Sequence, residues 1–457
     1  MRKPIFTIIA FFLVFAFFPT QIANSQNNTT YPFYTIQPGE TIFQIAQNFG
    51  VTIDEIININ NIQNPDFISP GTQIFIPGLT GISGEITSQV INIGDTFNSI
   101  VRKTGVNAKI LSKLNRKTSP AEIFAGSSLI LPKLDQNFYS SFSLLTEESV
   151  IEMAISIDSN PWVPIVLNSL ESSFSLVPSE VVFFPSIDEK MATSSISTFL
   201  NSVTISPLPL IQGTTAIINV SSKVPVKLSG ILNGNQIPFF NINYDYYGLN
   251  GIHALANTGM TTFSLNGEFE NGHKFSIEQS ILLKSGNYAN DPPINVKDVT
   301  IDPNITNPED EFVRSLISNV TTEKYWSGKF IDPVDSPICY KSVFGSRRSY
   351  NGSDYIYFHT GLDYGVCAPI LNIYAAESGK VVFAGELTVR GNAIFIDHGQ
   401  GVYSGYFHAS EIKVNAGEMV EKGKLIGIIG ATGRVTGPHL HFEIIINGSK
   451  VNPLNQL

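Results

Sequence analysis

Five side chains near the C-terminal end have the types and spacing to do chemistry together. They are His359 and Asp363 in Phe-His-Thr-Gly-Leu-Asp, His408 in Gly-Tyr-Phe-His, and His439 with His441 in Gly-Pro-His-Leu-His-Phe-Glu. Imidazole nitrogens and carboxylate oxygens are ligands of catalytic zinc, which takes three of them and leaves a fourth position for water. This set supplies three ligands and leaves two histidines over for proton transfer. Polar and apolar residues alternate from His439 to Ile444, so His439 and His441 share one face of a strand. Side chains two apart on a strand lie roughly 7 Å from each other, so one can ligate while the other faces a substrate. A turn through Gly361 would bring His359 and Asp363, four apart, to a common ion.

The elements that must position these groups read as strands over 380–384, 393–397, 402–407 and 440–446. Five of the seven histidines lie beyond residue 358, a clustering that ordinary surface or core roles do not produce. His398 reads as a structural group or an outer partner of a metal-bound histidine, and so does Glu443, on the same strand face as His439 and His441. His253 and His273 fall outside this region and read as ordinary polar residues.

The ordered set resembles the lysostaphin-like zinc endopeptidases, which cut peptide bonds in bacterial cell-wall peptidoglycan. The match covers roughly the last quarter of the chain. Phe344-Gly345-Ser346-Arg347, Gly391-Asn392-Ala393 leading into Asp397-His398-Gly399, and Thr432-Gly433-Arg434-Val435-Thr436-Gly437-Pro438 extend it. The resemblance implies a mainly antiparallel β peptidase domain over 326–457, with Zn2+ held by His359, Asp363 and His441. It leaves His408 and His439 as the catalytic imidazoles. The chain has no His-Glu-x-x-His helix, so an imidazole must serve as base. Some relatives lose the ligands and only activate other wall hydrolases, so a non-catalytic wall-binding regulator is the alternative function. A third reading is a structural wall protein whose metal only staples the fold.

Length and composition give this site an address. The chain of 457 residues is long enough for several domains. Arg2 and Lys3, an apolar run over 5–18 and Ala23-Asn24-Ser25 read as a signal peptide over 1–25. No later stretch is long enough for a membrane span, and no cysteine follows the signal to carry a lipid. In an exported protein Cys339 and Cys367 are expected to pair as a disulfide. The formal net charge of −10 argues against nucleic acid and anionic membrane surfaces as partners. A secreted, wall-associated or periplasmic monomer acting on peptidoglycan is expected.

The first half carries a repeat. Gly39-Glu40-Thr41 and Gly94-Asp95-Thr96 are followed at equal offsets by Asn60 and Asn115 and then by Pro77 and Pro132. Each copy reads strand, helix, helix, strand, and resembles LysM modules over 33–78 and 88–133. That resemblance implies binding of glycans containing N-acetylglucosamine. The groove would be lined by Gly39, Glu40, Thr41 and Ile42 with 64–69, and by Gly94, Asp95, Thr96 and Phe97 with 118–123. An eroded third copy spans 141–186, with Glu147-Glu148-Ser149 in place of the glycine motif and Asn168 and Pro185 at matching offsets. Its fold is expected; its ligand binding is not.

Short alternating runs over 203–205, 215–220, 226–231, 251–256, 261–269 and 274–283 suggest an immunoglobulin-like β-sandwich over 200–288. Residues 289–325 read as a linker with a short amphipathic helix over 309–318. The segment 414–427 resembles the hammerhead hairpins of biotinyl and lipoyl carriers, although Lys422 and Lys424 lack the carrier context.

Overall fold

The computed structural model describes residues 31–79, 82–133, 139–143, 149–176, 180–185 and 196–456. The expected signal peptide over 1–25 lies outside the described residues, as do Glu147 and Glu148 of the third repeat. The chain divides into two compact units after Glu85.

The first unit holds one strand-helix-helix-strand module. Strand Phe33–Thr35 pairs antiparallel with Gln73–Phe75. Between them run helices Ile42–Phe49 and Ile53–Asn60, each opened by a reciprocal cap, Thr41 with Gln44 and Thr52 with Glu55. Such a cap satisfies two otherwise orphaned N–H groups, and the N-cap side chain contributes about 1 kcal/mol. Ile42, Ile45, Ala46, Phe49 and Ile56 turn inward with helical periodicity.

The repeated asparagine now has a physical role. Asn60 accepts from the Phe75 N–H at 2.7 Å and donates to the Phe75 carbonyl at 2.8 Å, joining the end of the second helix to the closing strand. In the second unit Asn115 does the same to Ile130, at 2.6 and 2.9 Å. Asn168 does it to Phe183, at 2.8 and 2.7 Å. One carboxamide thereby satisfies a donor and an acceptor that the short strand would otherwise leave open. Residues 139–185 keep the strand-helix-helix-strand order, with Tyr139–Ser143 antiparallel to Val181–Pro185 and the Ser149–Glu152 cap on the first helix.

Two mainly antiparallel sheets follow, one with the short strand Leu210–Ile211 parallel to Lys274–Lys284, packed on one core that includes Val203, Ile218, Leu232, Phe263, Leu265 and Ile281. Strands Leu200–Ser206, Thr215–Ser222, Val226–Leu232, Gly259–Phe269 and Lys274–Lys284 cover the expected runs. The run at 251–256 is not a strand. The strand there is Asp245–Gly251, and the chain then turns, with Ala256 N–H bonded to the His253 carbonyl at 3.0 Å. Strand Phe239–Ile242 pairs with it and is too short to read from pattern alone.

The segment after the sandwich is not a loose linker. Its backbone runs along residues 347–351 through Arg347 N–H to Ala289 O, Asp291 N–H to Arg347 O, and Asn351 N–H to Ile294 O, all 2.8–3.0 Å. The helix that follows, α1 (Pro303–Leu316), begins earlier than Pro308 suggested. Asp302 caps it with Pro303 at the first position, where a missing N–H costs nothing, and Pro308 is carried inside.

The C-terminal sheet comprises β1 (Tyr340–Ser342), β2 (Leu362–Tyr364), β3 (Gly379–Leu387), β4 (Gly391–Gly399), β5 (Val402–Ala409), β6 (Met419–Val420), β7 (Leu440–Ile446) and β8 (Ser449–Val451). Its order is β1-β2-β7-β5-β4-β3-β6, with β8 on β7. Alternation gives each strand two faces. Ile394, Ile396, Tyr406, Phe442 and Ile444 enter the main core. Ala393, Phe395, Tyr403, Phe407 and Ile445 face the other way and are covered by Val313 of α1 and by Ile317 at its C-terminal cap. His441 shares that second face, so α1 belongs to the surroundings of the site. The hammerhead segment is not a hairpin: β6 pairs with β3, while Leu425–Ile428 joins Asn372–Tyr374 and Glu411–Ile412 in a separate sheet.

Candidate metal centre

Strand register brings the site together. Asp363 on β2 lies directly opposite His441 on β7, and Phe407 on β5 lies opposite His441 from the other side. His359 follows the short strand Tyr357–Phe358 and is held by backbone bonds in both directions, His359 N–H to Ser346 O and Gly345 N–H to His359 O, each 2.8 Å. The role of Gly361 differs from the expected turn. A Cβ there would meet the Phe442 carbonyl oxygen at 2.2 Å and His441 Nε2 at 2.8 Å, so glycine is needed for close approach of β7.

His359 Nε2, Asp363 Oδ1 and His441 Nδ1 form a triangle with sides of 2.8, 2.9 and 3.0 Å. All three residues are buried. Ligand atoms around a tetrahedral ion with ~2.1 Å bonds stand roughly 3.4 Å apart, so the triangle is slightly contracted and otherwise metal-shaped. The outer partners set the tautomers. His359 Nδ1 faces the Val343 carbonyl at 2.9 Å and His441 Nε2 faces Glu443 Oε1 at 3.2 Å. With a proton on each of those nitrogens, the inward nitrogens present lone pairs. Three acceptors meeting without a proton between them is a binding site for a cation.

The electrostatics favour this for Asp363 and His359 and oppose it for His441. Burial pushes the Asp363 carboxyl up, but His359 and His441 hold it well below the usual carboxylate range. Burial pushes His359 down to about 4, against the pull of Asp363. His441 is also desolvated, but Asp363 and Glu443 beside it raise its pKa. Asp363 Oδ2 is held by the Arg348 guanidinium at 3.2 Å, and Arg348 also donates to Ser342 Oγ at 3.0 Å. Glu443 accepts from Thr360 Oγ1 at 2.5 Å and from Lys450 Nζ at 3.1 Å.

His439 and His408 stand beside this triangle without joining it. His439 Nε2 is 3.6 Å from Asp363 Oδ1, and the two rings are 4.9 Å apart. Each has an Nδ1 turned to a carbonyl at 2.8 Å, Gly437 O for His439 and Thr432 O for His408. Both therefore offer Nε2 to the cleft. Burial, with His441 and His439 nearby, pushes His408 down to about 3, and burial lowers His439 as well. His408 has φ of +68°, a left-handed conformation that costs about 1 kcal/mol or more outside glycine. Its N–H bonds to the Arg390 carbonyl at 3.0 Å. Glu309 of α1 holds that turn through Val389 N–H at 2.8 Å, Arg390 N–H at 3.2 Å and Arg390 Nη1 at 2.8 Å. The strained backbone of His408 is thus braced from α1.

Residues 357–453 match the model of peptidase family M23, and residues 34–77 and 90–132 match the LysM domain. The chain carries an M23 peptidase domain and two LysM domains. Its M23 region is similar to the peptidoglycan DD-endopeptidase ShyA of Vibrio cholerae, 39% identical over 123 residues, 27% of this chain and 28% of the relative. It is also similar to the DD-carboxypeptidase/endopeptidase Mpg of Neisseria meningitidis, 44% identical over 98 residues, 21% of this chain and 22% of the relative. A solved catalytic domain of a prophage-encoded M23 protein from Enterococcus faecalis is 32% identical, covers 27% of this chain and 95% of that one, and has a TM-score of 0.24. The chain spans only 28% and 22% of the lengths of these two curated relatives.

Other expected residues of the M23 domain fall as follows. Cys339 and Cys367 are joined by a disulfide. His398 is away from the triangle, with Nδ1 on Ser378 O and Nε2 on Ser404 Oγ, both 2.7 Å. Arg348, Thr360 and the Glu309–Arg390 pair were not read from sequence. Arg348 directly follows the Phe344–Arg347 run and could have been marked by it; Glu309 has no local signal.

The LysM loops are unequal. Thr41 and Thr96 are helix caps, and Ile42 and Phe97 are core residues. Glu40 accepts from Tyr34 Oη at 2.9 Å and Gln37 N–H at 2.8 Å, and Asp95 accepts from Asn92 N–H at 2.9 Å. These side chains are occupied by their own modules, which leaves mainly backbone groups for a ligand. Gly39 is exposed, whereas Gly94 is buried and donates its N–H to Gln279 Oε1 of the sandwich at 2.8 Å. Ala125 adds a bridge to the same strand, through Ala125 N–H to Ser280 O at 3.0 Å and Leu282 N–H to Ala125 O at 2.8 Å. The second module is a docked part of the sandwich, and the loop carrying Gly94 is where it docks.

Proposed function

We propose that the protein is an exported zinc metalloendopeptidase that hydrolyses peptide bonds of bacterial cell-wall peptidoglycan, acting outside the cytoplasm and directed to glycan by LysM modules. The observation that carries this reading is the inward triangle of His359, Asp363 and His441 with two further imidazoles beside it. Zinc fits this donor set, and when bound it supplies Lewis acidity and lowers the pKa of a water molecule to near neutrality.

The chain's own residues do the rest. His408 and His439 are neutral with Nε2 free, and one of the two takes the proton from the attacking water as its oxygen bonds to the scissile carbonyl carbon. The proton is then delivered to the leaving nitrogen as the C–N bond breaks. Once protonated, an imidazole also steadies the negative oxygen of the tetrahedral intermediate. The regulator alternative loses weight because all five groups are present and arranged for reaction. The sandwich, of immunoglobulin type in this reading, acts as a mount rather than as a second binding module.

The test is digestion of purified cell walls by metal-loaded protein, followed by turbidity and by release of new amino groups, with and without a chelator. Chelator-sensitive release is expected. Wall binding with no released amino groups would favour the regulator.

A further inference from the structure

The triangle opens into a cleft of about 430 Å³ whose walls come from α1, residues 294–301, the turn between β3 and β4, and the loop before β7. Arg348, Arg390, Arg434 and Lys450 are the cations lining it. Three of them are neutralised within the protein. Arg348 pairs with Asp363 and Asp291, Arg390 with Glu309 and Asp310, and Lys450 with Glu443. Among the described residues no carboxylate pairs with Arg434.

Arg434 is nevertheless held in place. Its Nη1 donates to the Thr300 carbonyl at 2.9 Å, its guanidinium lies 4.7 Å from the centre of the Tyr350 ring, and its backbone N–H bonds to Val389 O at 2.8 Å. It sits two residues beyond Thr432, whose carbonyl orients His408, so its position is coupled to the catalytic imidazole. A guanidinium carries five N–H donors in a fixed fork, and one is used here. A half-buried, pre-oriented and uncompensated cation at the wall of a peptide cleft is suited to a bidentate carboxylate.

We propose that Arg434 binds a free carboxylate of the substrate peptide next to the scissile bond, making the enzyme selective for acidic over amidated peptides. This inference rests on the peptidase reading. In the chemistry it implies, no bond to Arg434 forms or breaks; the residue fixes the peptide's register against His408 and His439.

The test uses the metal-loaded full chain and two matched peptidoglycan peptides that differ only in a carboxylate or a carboxamide flanking the cleaved bond. The wild type is expected to prefer the acid by tenfold or more in kcat/KM, mainly through KM, as expected when a polar site loses its partner. Arg434→Gln should abolish that preference with metal content and thermal midpoint unchanged, and Arg434→Lys should restore part of it. A wild type that cleaves both peptides equally overturns the carboxylate assignment and leaves the peptidase reading standing. A preference that survives in a folded Arg434→Gln variant assigns it to another residue and also overturns the proposal. Cleavage of neither peptide by metal-loaded wild type overturns the peptidase reading itself.

Discussion

Asp363 Oδ1 and His441 Nδ1 lie 2.8 Å apart across a single antiparallel strand pair, so the backbone register of β2 and β7 sets the spacing of two candidate ligand groups. A one-residue slip would turn one of them to the opposite face. Asp363→Asn or His441→Ala is therefore expected to lose metal and turnover together. His439→Ala should retain metal and lose turnover by about 100-fold or more. Metal analysis and kinetics on the same samples check the separation; metal loss in His439→Ala would contradict the assignment.

Gly361 lets β2 approach β7. Gly361→Ala places a Cβ at 2.2 Å from the Phe442 carbonyl oxygen, and backbone must move to relieve it. We expect a loss of about 2 kcal/mol in stability and a weaker metal site, read by denaturant unfolding and metal titration. An unchanged metal affinity would show that the contact does not position the ligands.

Glu309 braces the turn whose Arg390 carbonyl holds His408. Glu309→Ala leaves the Val389 and Arg390 N–H groups and Arg390 Nη1 without their acceptor while Asp310 still pairs with Arg390 Nη2, which should cost about 3 kcal/mol. Glu309→Gln keeps part of the bonding and isolates the positioning effect: kcat should fall while KM changes little. Asp310→Asn, at the exposed end of the same pair, should change neither parameter much.

His398 is fully buried among Ser378, Ser404 and the Phe330 ring, and burial pushes its pKa from 6.5 down to about 4. As pH falls below 6.5 the unfolded chain takes up this proton before the folded one does. Stability present above that pH is lost toward pH 4, by roughly 2 kcal/mol between pH 7 and pH 5. Urea unfolding at the two pH values should show this slope in the wild type and a shallower one in His398→Asn. Equal slopes would remove His398 as its source.

The two LysM modules are expected to differ toward glycan. Titrating an N-acetylglucosamine oligomer should shift amide resonances at Gly39, Glu40, Thr41 and Ile42 and leave those at Gly94, Asp95, Thr96 and Phe97 in place, because Gln279 already holds Gly94. Equal shifts in both loops would mean the docked module opens for its ligand.

The set of five side chains was legible in the sequence because each residue type is chemically distinctive and strand alternation places His439 and His441 on one face, whereas the choice of His359, Asp363 and His441 as ligands rests on the resemblance to lysostaphin-like peptidases. The repeats were legible because Asn60, Asn115 and Asn168 make the same side-chain bonds to the backbone. What escaped was long-range. The ion pair of Glu309 with Arg390 joins residues far apart in sequence, and the bonds of residues 289–294 to 347–351 belong to backbone that any composition can make. The hammerhead segment misled because its strand-turn-strand pattern is local, whereas the choice of partner strands is made by the whole sheet. The strand at 245–251 was misplaced by a few residues because its glycines weaken the apolar alternation.

Mass spectrometry of fragments released from a defined peptidoglycan by metal-loaded protein tests the central claim most directly. The account predicts new peptide N-termini at one kind of bond, absent when chelator is added and absent for metal-loaded His439→Ala. Intact stem peptides and cross-bridges after incubation with fully metal-loaded wild type would contradict it.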